Sequence, residues 1–331
     1  MHFITRLRNL TYAKFCAKVH RWSIMLFGVW IYPSYWHYLL KGKVENADIS
    51  NVYLAARPNP GAGIGHQMAN WIAGYWWAKQ FHLKFAYLPF SNATWEDFLG
   101  FGENETRVED LKKKGWKIRG IPLFWESNPQ SLKLVQDIIS TYSGKKRIIL
   151  CEQDQFYRDQ YGVMNDIQTK FFNAPARKDN QIIYEPEHFN IAIHVRRGDI
   201  MTDAKNENLT MRYLSNDYFE KVLQQTVERF AKTQDKPIHI YFFSQGRPED
   251  FKEFEHYENL HWCMDMGARE SFLHMVYADV LVTSKSSFSY KPALLNQGIK
   301  ICPENFWHGY PDREDWIMCD NEGNVNWTKR H

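Results

Sequence analysis

Residues 191–200 read IAIHVRRGDI, and the fold is decided by how this stretch changes character halfway along. Its first part, extended back to FNIAIHV at 189–195, is a short apolar run rich in Ile and Val, suited to a strand buried on both faces of a parallel sheet. Its second part sets His194, Arg196, Arg197 and Asp199 within six positions. A core strand that runs out into paired guanidiniums fits an α/β sheet whose carboxyl edge receives an anion. A double Arg also serves as a strand-end salt bridge, here with Asp199 as a partner, so the reading depends on what else reaches that edge. An RGD adhesion triplet is a poor fit, because such a triplet needs an exposed flexible loop and this one adjoins an apolar strand.

Toward the C-terminus, Phe219, Val222, Leu223, Val227 and Phe230 recur at helical spacing behind Ser215, an N-cap residue type. PIHIYFF at 237–243 predicts a strand, 268–278 a helix, DVLVT at 279–283 a strand, 288–296 a helix and 299–302 a last strand. Strand and helix alternate, the signature of a doubly wound parallel sheet. Three polar stretches then fall on its carboxyl edge: HVRRGD, SQGRPED (244–250) and SKSSFSY (284–290). Ser244, Ser286, Ser287 and the helix start at Phe288 would join Arg196 and Arg197 around an anion, with phosphate the best match. Serines before a helix are also ordinary N-caps.

The earlier half predicts a strand at 51–55, the turn RPNPGAGIGHQ, a helix from about 67 to 81, and strands at 84–88 and 147–151. This makes a second, less regular α/β domain. The organisation expected is an N-terminal segment 1–48, one α/β domain at 49–180 and another at 181–331. GAGIGHQ is G-x-G-x-G, which is not the dinucleotide spacing G-x-G-x-x-G. Trp71, Trp76 and Trp77 follow it on the helix and read first as core, second as a platform for a sugar.

Hydrophobic residues at 44% and charged residues at 24% argue against disorder and against a polytopic membrane protein. A net charge of +3 without a basic stripe argues against nucleic acid as a partner. Five scattered cysteines, with no CxxC, no HExxH and no D-x-D, give no metal site to expect. Aromatics at 16%, among them 13 Trp, exceed what a core requires and suit sugar faces as well as packing. Arg6, Arg8, Lys14, Lys18 and Arg21 precede an aromatic, apolar run at 22–40 that Pro33 and His37 interrupt. That run is short of the roughly 20 apolar residues a bilayer span needs. It reads as an element lying among lipid headgroups; a weak signal-anchor and a helix packed on the core are the rivals. The location expected is a membrane, at its cytoplasmic face, or single-pass in the Golgi of a eukaryote. N-x-T sequons at Asn92, Asn104, Asn208 and Asn326 matter only in a secretory lumen.

GIGHQMANWIAGYWWAK, IAIHVRRGD and DVLVTSKSSFSY, taken in order, resemble the fucosyltransferase superfamily of α-1,2-, α-1,6- and protein O-fucosyltransferases, with the α-1,2 family nearest. That family carries a G-x-G-N-Q loop opening a helix, H-x-R-R-x-D after a strand, and a C-terminal S-x-F-S segment. The resemblance runs over roughly residues 52–303, and H-x-R-R-G-D is its one specific element. It implies a GT-B-like pair of Rossmann-type domains facing a central cleft. The implied reaction is an inverting, metal-independent transfer of L-fucose from GDP-fucose to a glycan hydroxyl. Carried over, the resemblance sets Arg196 and Arg197 on the donor pyrophosphate, with His194 and Asp199 shaping that site. Ser286, Ser287 and Phe288 would complete it, and Gly63, Gly65, His66 and Gln67 would face it from the other domain. His66 stands where the family usually has Asn, and Tyr290-Lys291 follow SSFS where aromatics are common; both departures bear on the sugar. Arg196 is the expected catalytic cation, and Asp199 and His66 are the candidates for the general base. Rival readings are another nucleotide-sugar on the same scaffold, a non-catalytic glycan-binding module, and a dinucleotide oxidoreductase, which the glycine spacing disfavours.

Overall fold

The computed structural model describes residues 15–16, 18–20, 22–59, 62–151, 159–202, 211–264 and 266–328, with the backbone alone for Asp199 and Thr202. The chain forms two compact units, each built on its own parallel sheet. The fold class is therefore α/β with two Rossmann-like units, as the alternation of strand and helix predicts.

The first unit comprises 1–59, 70–89 and 104–157. Its sheet has the order β2-β1-β4-β3, from β1 (Val52–Ala56), β2 (Lys84–Phe85), β3 (Lys117–Gly120) and β4 (Arg147–Cys151). Leu54 and Ala55 lie against Ile149 and Leu150 in register, and all four are buried. β3 escaped the sequence reading because it is an edge strand, KIRG, with no apolar run.

The second unit comprises 60–69, 90–103 and 158–331. Its six strands are β5 (Phe189–His194), β6 (Ile238–Phe243), β7 (Leu260–Trp262), β8 (Val280–Val282), β9 (Ile299–Pro303) and β10 (Trp316–Cys319), in the order β10-β9-β8-β5-β6-β7. All six residues of β5 are buried, and its central position explains its largely apolar run. Ile191 and Ile193 pair with Ile240 and Phe242 on one side and with Val280 and Val282 on the other. The helix Asn216–Phe230 starts on Ser215, whose hydroxyl accepts from the Tyr218 amide, and lays Phe219, Val222 and Leu223 on this core. β7 and β10 were not predicted; they are short edge strands.

The division between units departs from the expected boundary at 180. The helix Met164–Asn173 belongs to the second unit, where Gln168 Nε2 donates to the Leu294 carbonyl at 3.0 Å. Residues 90–103 join it through Phe98, which meets Phe171 and Phe272 edge-on, each at 5.8 Å. These contacts are distant in sequence and leave no mark on composition.

Candidate functional site

Read outward in chain order, the second sheet has three strands running one way from β5 and three the other, the 3-2-1-4-5-6 order of doubly wound nucleotide-binding sheets. The switch of direction lies between β5 and β8. In such sheets ligands sit outside the carboxyl ends of the strands at that switch. His194 ends β5 there, and its Nδ1 lies 2.9 Å from the hydroxyl of Ser284, which follows β8. The ring is 6% exposed. Burial, and then the Arg196 charge, hold its pKa down to about 3, so the imidazole is neutral at ordinary pH. His194 therefore shapes the edge as a neutral hydrogen-bonding group and adds no charge of its own.

The two arginines part company. Arg197 is 7% exposed; its Nη1 donates to the Arg196 carbonyl at 2.8 Å and its Nη2 to Asn216 Oδ1 at 2.5 Å. The guanidinium packs over Tyr213 at 4.8 Å and Phe251 at 5.7 Å. Asn216 passes the tie on, donating to the Asp250 carbonyl at 2.9 Å and to Glu253 Oε2 at 3.0 Å. Burial pulls the Arg197 pKa below its ordinary value, with Tyr213 and Glu253 opposing. Arg197 was expected on the pyrophosphate; in this structure its guanidinium ties the strand end to Asn216 and packs on Tyr213 and Phe251. Successive side chains leaving a strand point to opposite sides, so one of two adjacent arginines is turned inward. Arg196 is partly exposed. Gly198 has φ +73°, and a side chain there would collide with Gln245, so the chain turns sharply after the pair. The side chain of Asp199 lies outside the described residues.

After β8 the chain enters the helix Ser287–Leu295. Ser286 caps it, its hydroxyl accepting from the Phe288 amide at 3.2 Å. The Ser289 hydroxyl accepts from the Ser284 amide at 3.2 Å. These serines shape the loop, and Ser287 and Phe288 are left partly exposed. Gly65, in the first turn of the helix Ile64–Gln80, abuts Ser287 so closely that a Cβ on it would lie 2.8 Å from the Ser287 carbonyl oxygen. Two helix N-termini thus meet beside the switch point, and their positive dipole ends favour an anion there.

Residues 62–69 accordingly belong to the same unit as the strand-end loops, which corrects the expectation that Gly63, Gly65, His66 and Gln67 face the site from the other domain. Gln67 is buried and spent: its Nε2 donates to the Ala62 carbonyl and to the Ser91 hydroxyl, each at 2.8 Å, and its Oε1 accepts from the Ser91 amide at 2.9 Å. It fastens the glycine loop to Ser91. Gly63 receives the amides of His66 and Gln67, and His66 is exposed in the first turn. Ser244 donates to the Val195 carbonyl at 2.8 Å, tying the end of β6 to the end of β5.

The sequence reading missed His308 and Gln160. Gln160 is fully buried, its Nε2 lies 2.6 Å from His308 Nδ1, and His308 Nε2 lies 3.5 Å from the Ser287 hydroxyl. No periodicity or motif marks them. Lys291, one turn beyond Ser287, is fully buried with no hydrogen-bond partner for its Nζ among the described residues, and burial pulls its pKa well below normal. A cavity of about 370 Å³ in this unit lies elsewhere, lined by Asp97, Asp179 and the Arg269–Glu270 ion pair.

No protein-family model and no curated protein matches the chain. Among solved structures it is similar to POFUT1 in complex with GDP-fucose, at 13% identity and a TM-score of 0.40 over 77% of this chain and 97% of that one. A mutant of Arabidopsis thaliana FUT1 in complex with GDP gives 11% and 0.44 over 84% and 76%. The fucosyltransferase NodZ from Bradyrhizobium gives 11% and 0.45 over 83% and 97%. Identities this low leave the chemistry to be read from this chain's own residues.

Proposed function

We propose that the chain is an inverting glycosyltransferase that moves L-fucose from GDP-fucose to a hydroxyl of a glycan, with Arg196 taking the charge of the departing diphosphate. The observation that supports this reading is the close approach of two helix starts, Gly65 to Ser287, in the unit where His194 at the end of β5 meets Ser284 after β8, at the switch point of a 3-2-1-4-5-6 sheet whose β5 leads into Arg196. A guanidinium holds phosphate oxygens through paired hydrogen bonds, and helix amides add donors fixed in place before the reaction. In the proposed step the bond from the sugar's anomeric carbon to the diphosphate breaks, and the bond to the acceptor oxygen forms on the opposite face. The acceptor proton passes to a base, for which His66, which is exposed, and Asp199 are the candidates. Fucose and guanosine rest on the H-x-R-R-G-D resemblance.

The same strand order also serves dinucleotide enzymes. There a glycine fingerprint follows the first strand and leads into a helix that meets the pyrophosphate; here VRRGD fills that place, with two arginines where the fingerprint has glycines. Thermal-shift titration with GDP, UDP, CDP and NAD tests the reading, because a ligand that prefers the folded state raises its stability. Stabilisation by GDP alone is expected. A response to NAD, or to none of them, overturns it.

A further inference from the structure

Of the sixteen large apolar side chains that stand exposed among the described residues, ten fall between Phe15 and Leu40. The concentration is not a frayed end. The helix Pro33–Lys41 is fixed to the first unit by one face: Ser34 is buried, the His37 ring stacks on Tyr142 at 4.7 Å and its Nδ1 meets the Thr141 hydroxyl at 2.9 Å, and Lys41 Nζ donates to the Thr141 carbonyl at 2.9 Å. The opposite face, at the same helical spacing, presents Trp36, Leu39 and Leu40, with Leu40 87% exposed. Just before it, Trp30 packs against Trp36 at 5.3 Å and Tyr35 at 5.2 Å, and Trp36 Nε1 donates to the Trp30 carbonyl at 2.8 Å. A firmly held helix therefore carries a rigid aromatic knuckle, continued by exposed Trp22, Met25 and Leu26.

Two further facts choose the occupant. Gly28 has φ +53° and Tyr32 is extended, so the run is broken into short elements; among the described residues no helix is long and apolar enough to cross a membrane. The sequence also holds seven Lys or Arg and no Asp or Glu before Glu45. We propose that the helix Pro33–Lys41, with the exposed aromatic and aliphatic residues just before it, forms a monotopic foot that lies in the interfacial layer of an anionic bilayer. Trp and Leu enter at headgroup depth, the basic side chains pair with anionic lipid, and the tie through His37 and Lys41 fixes the first unit to the membrane surface.

The test is co-sedimentation of the full chain with phosphatidylserine–phosphatidylcholine vesicles and with phosphatidylcholine alone. Binding to the first, weakened by salt and by omission of phosphatidylserine, is expected. Leu40→Glu combined with Leu26→Glu, both on exposed positions, should lower the partition coefficient about tenfold or more while leaving circular dichroism and GDP-induced stabilisation unchanged. Three results overturn the proposal: no vesicle binding, binding that resists alkaline carbonate as a spanning anchor does, or light scattering showing that the same double substitution instead dissolves a dimer.

Discussion

Both sheets are parallel throughout and rest on buried aliphatic residues, Leu54, Ile148 and Ile149 in the first, Ile191, Ile193 and Val282 in the second. They part at the carboxyl ends of their strands. In the first unit β3 runs on into Ile121, which is buried, and β1 into a single exposed Arg57 before Pro58. In the second, the three central strands run into Arg196, Ser244 and Ser284, with a neutral buried histidine and two helix starts beside them. Packing accounts for the strands in both units; among the described residues, the loops after β5, β6 and β8 bring together His194, Ser284 and Ser244 near Arg196, while β1 leads to Arg57.

The largest expected effect is at that edge. Arg196→Lys should lower turnover about 10² to 10³-fold, or about 3 to 4 kcal/mol in the barrier, because an ammonium cannot reproduce paired hydrogen bonds. Denaturation midpoints should not move. Arg57→Ala, the corresponding change in the first unit, should leave GDP-induced stabilisation as it was; if the two variants behave alike, the contrast between the edges is wrong. Arg197→Ala should do the reverse of Arg196→Lys, costing about 1.5 to 3 kcal/mol of stability by urea denaturation as the Asn216 tie is lost. A drop in turnover at unchanged stability would return Arg197 to the site.

Smaller effects sharpen the picture inside the second unit. Lys291→Met should stabilise the chain at neutral pH by about 1 to 3 kcal/mol, since it removes a buried amine with no hydrogen-bond partner among the described residues. Lys300, also buried, gives the internal standard: its Nζ reaches the carbonyls of Asn296 and Gly298 and the Asp315 carboxylate, so Lys300→Met should destabilise. The gain from Lys291→Met should shrink as pH rises toward 10.5, where the unfolded chain also gives up that proton. In acid the sign follows from His194. Its pKa is lowered from 6.5 to about 3 in the fold, so below 6.5 the unfolded chain binds a proton that the folded chain does not. The contribution of the neutral ring is whole above pH 6.5 and is lost as pH falls toward 3. His194→Gln, which removes the titrating group, should flatten that part of the stability profile.

Much of the second unit was legible in the sequence, because a strand buried on both faces must be apolar throughout and a helix packed by one face must repeat its apolar residues at 3.6. FNIAIH, IHIYFF, Ser215 as a cap and the Ser-rich start after β8 all declare themselves in this way. Strands β3, β7 and β10 do not, since an edge strand carries no such constraint. Tertiary structure alone settled which of two adjacent arginines turns inward, that Gln67 is consumed by Ser91 and Ala62, and that Gly65 brings its helix start onto Ser287. Each of those outcomes depends on a contact between residues far apart in the chain, and a one-dimensional pattern records the environment of a residue without naming its neighbour.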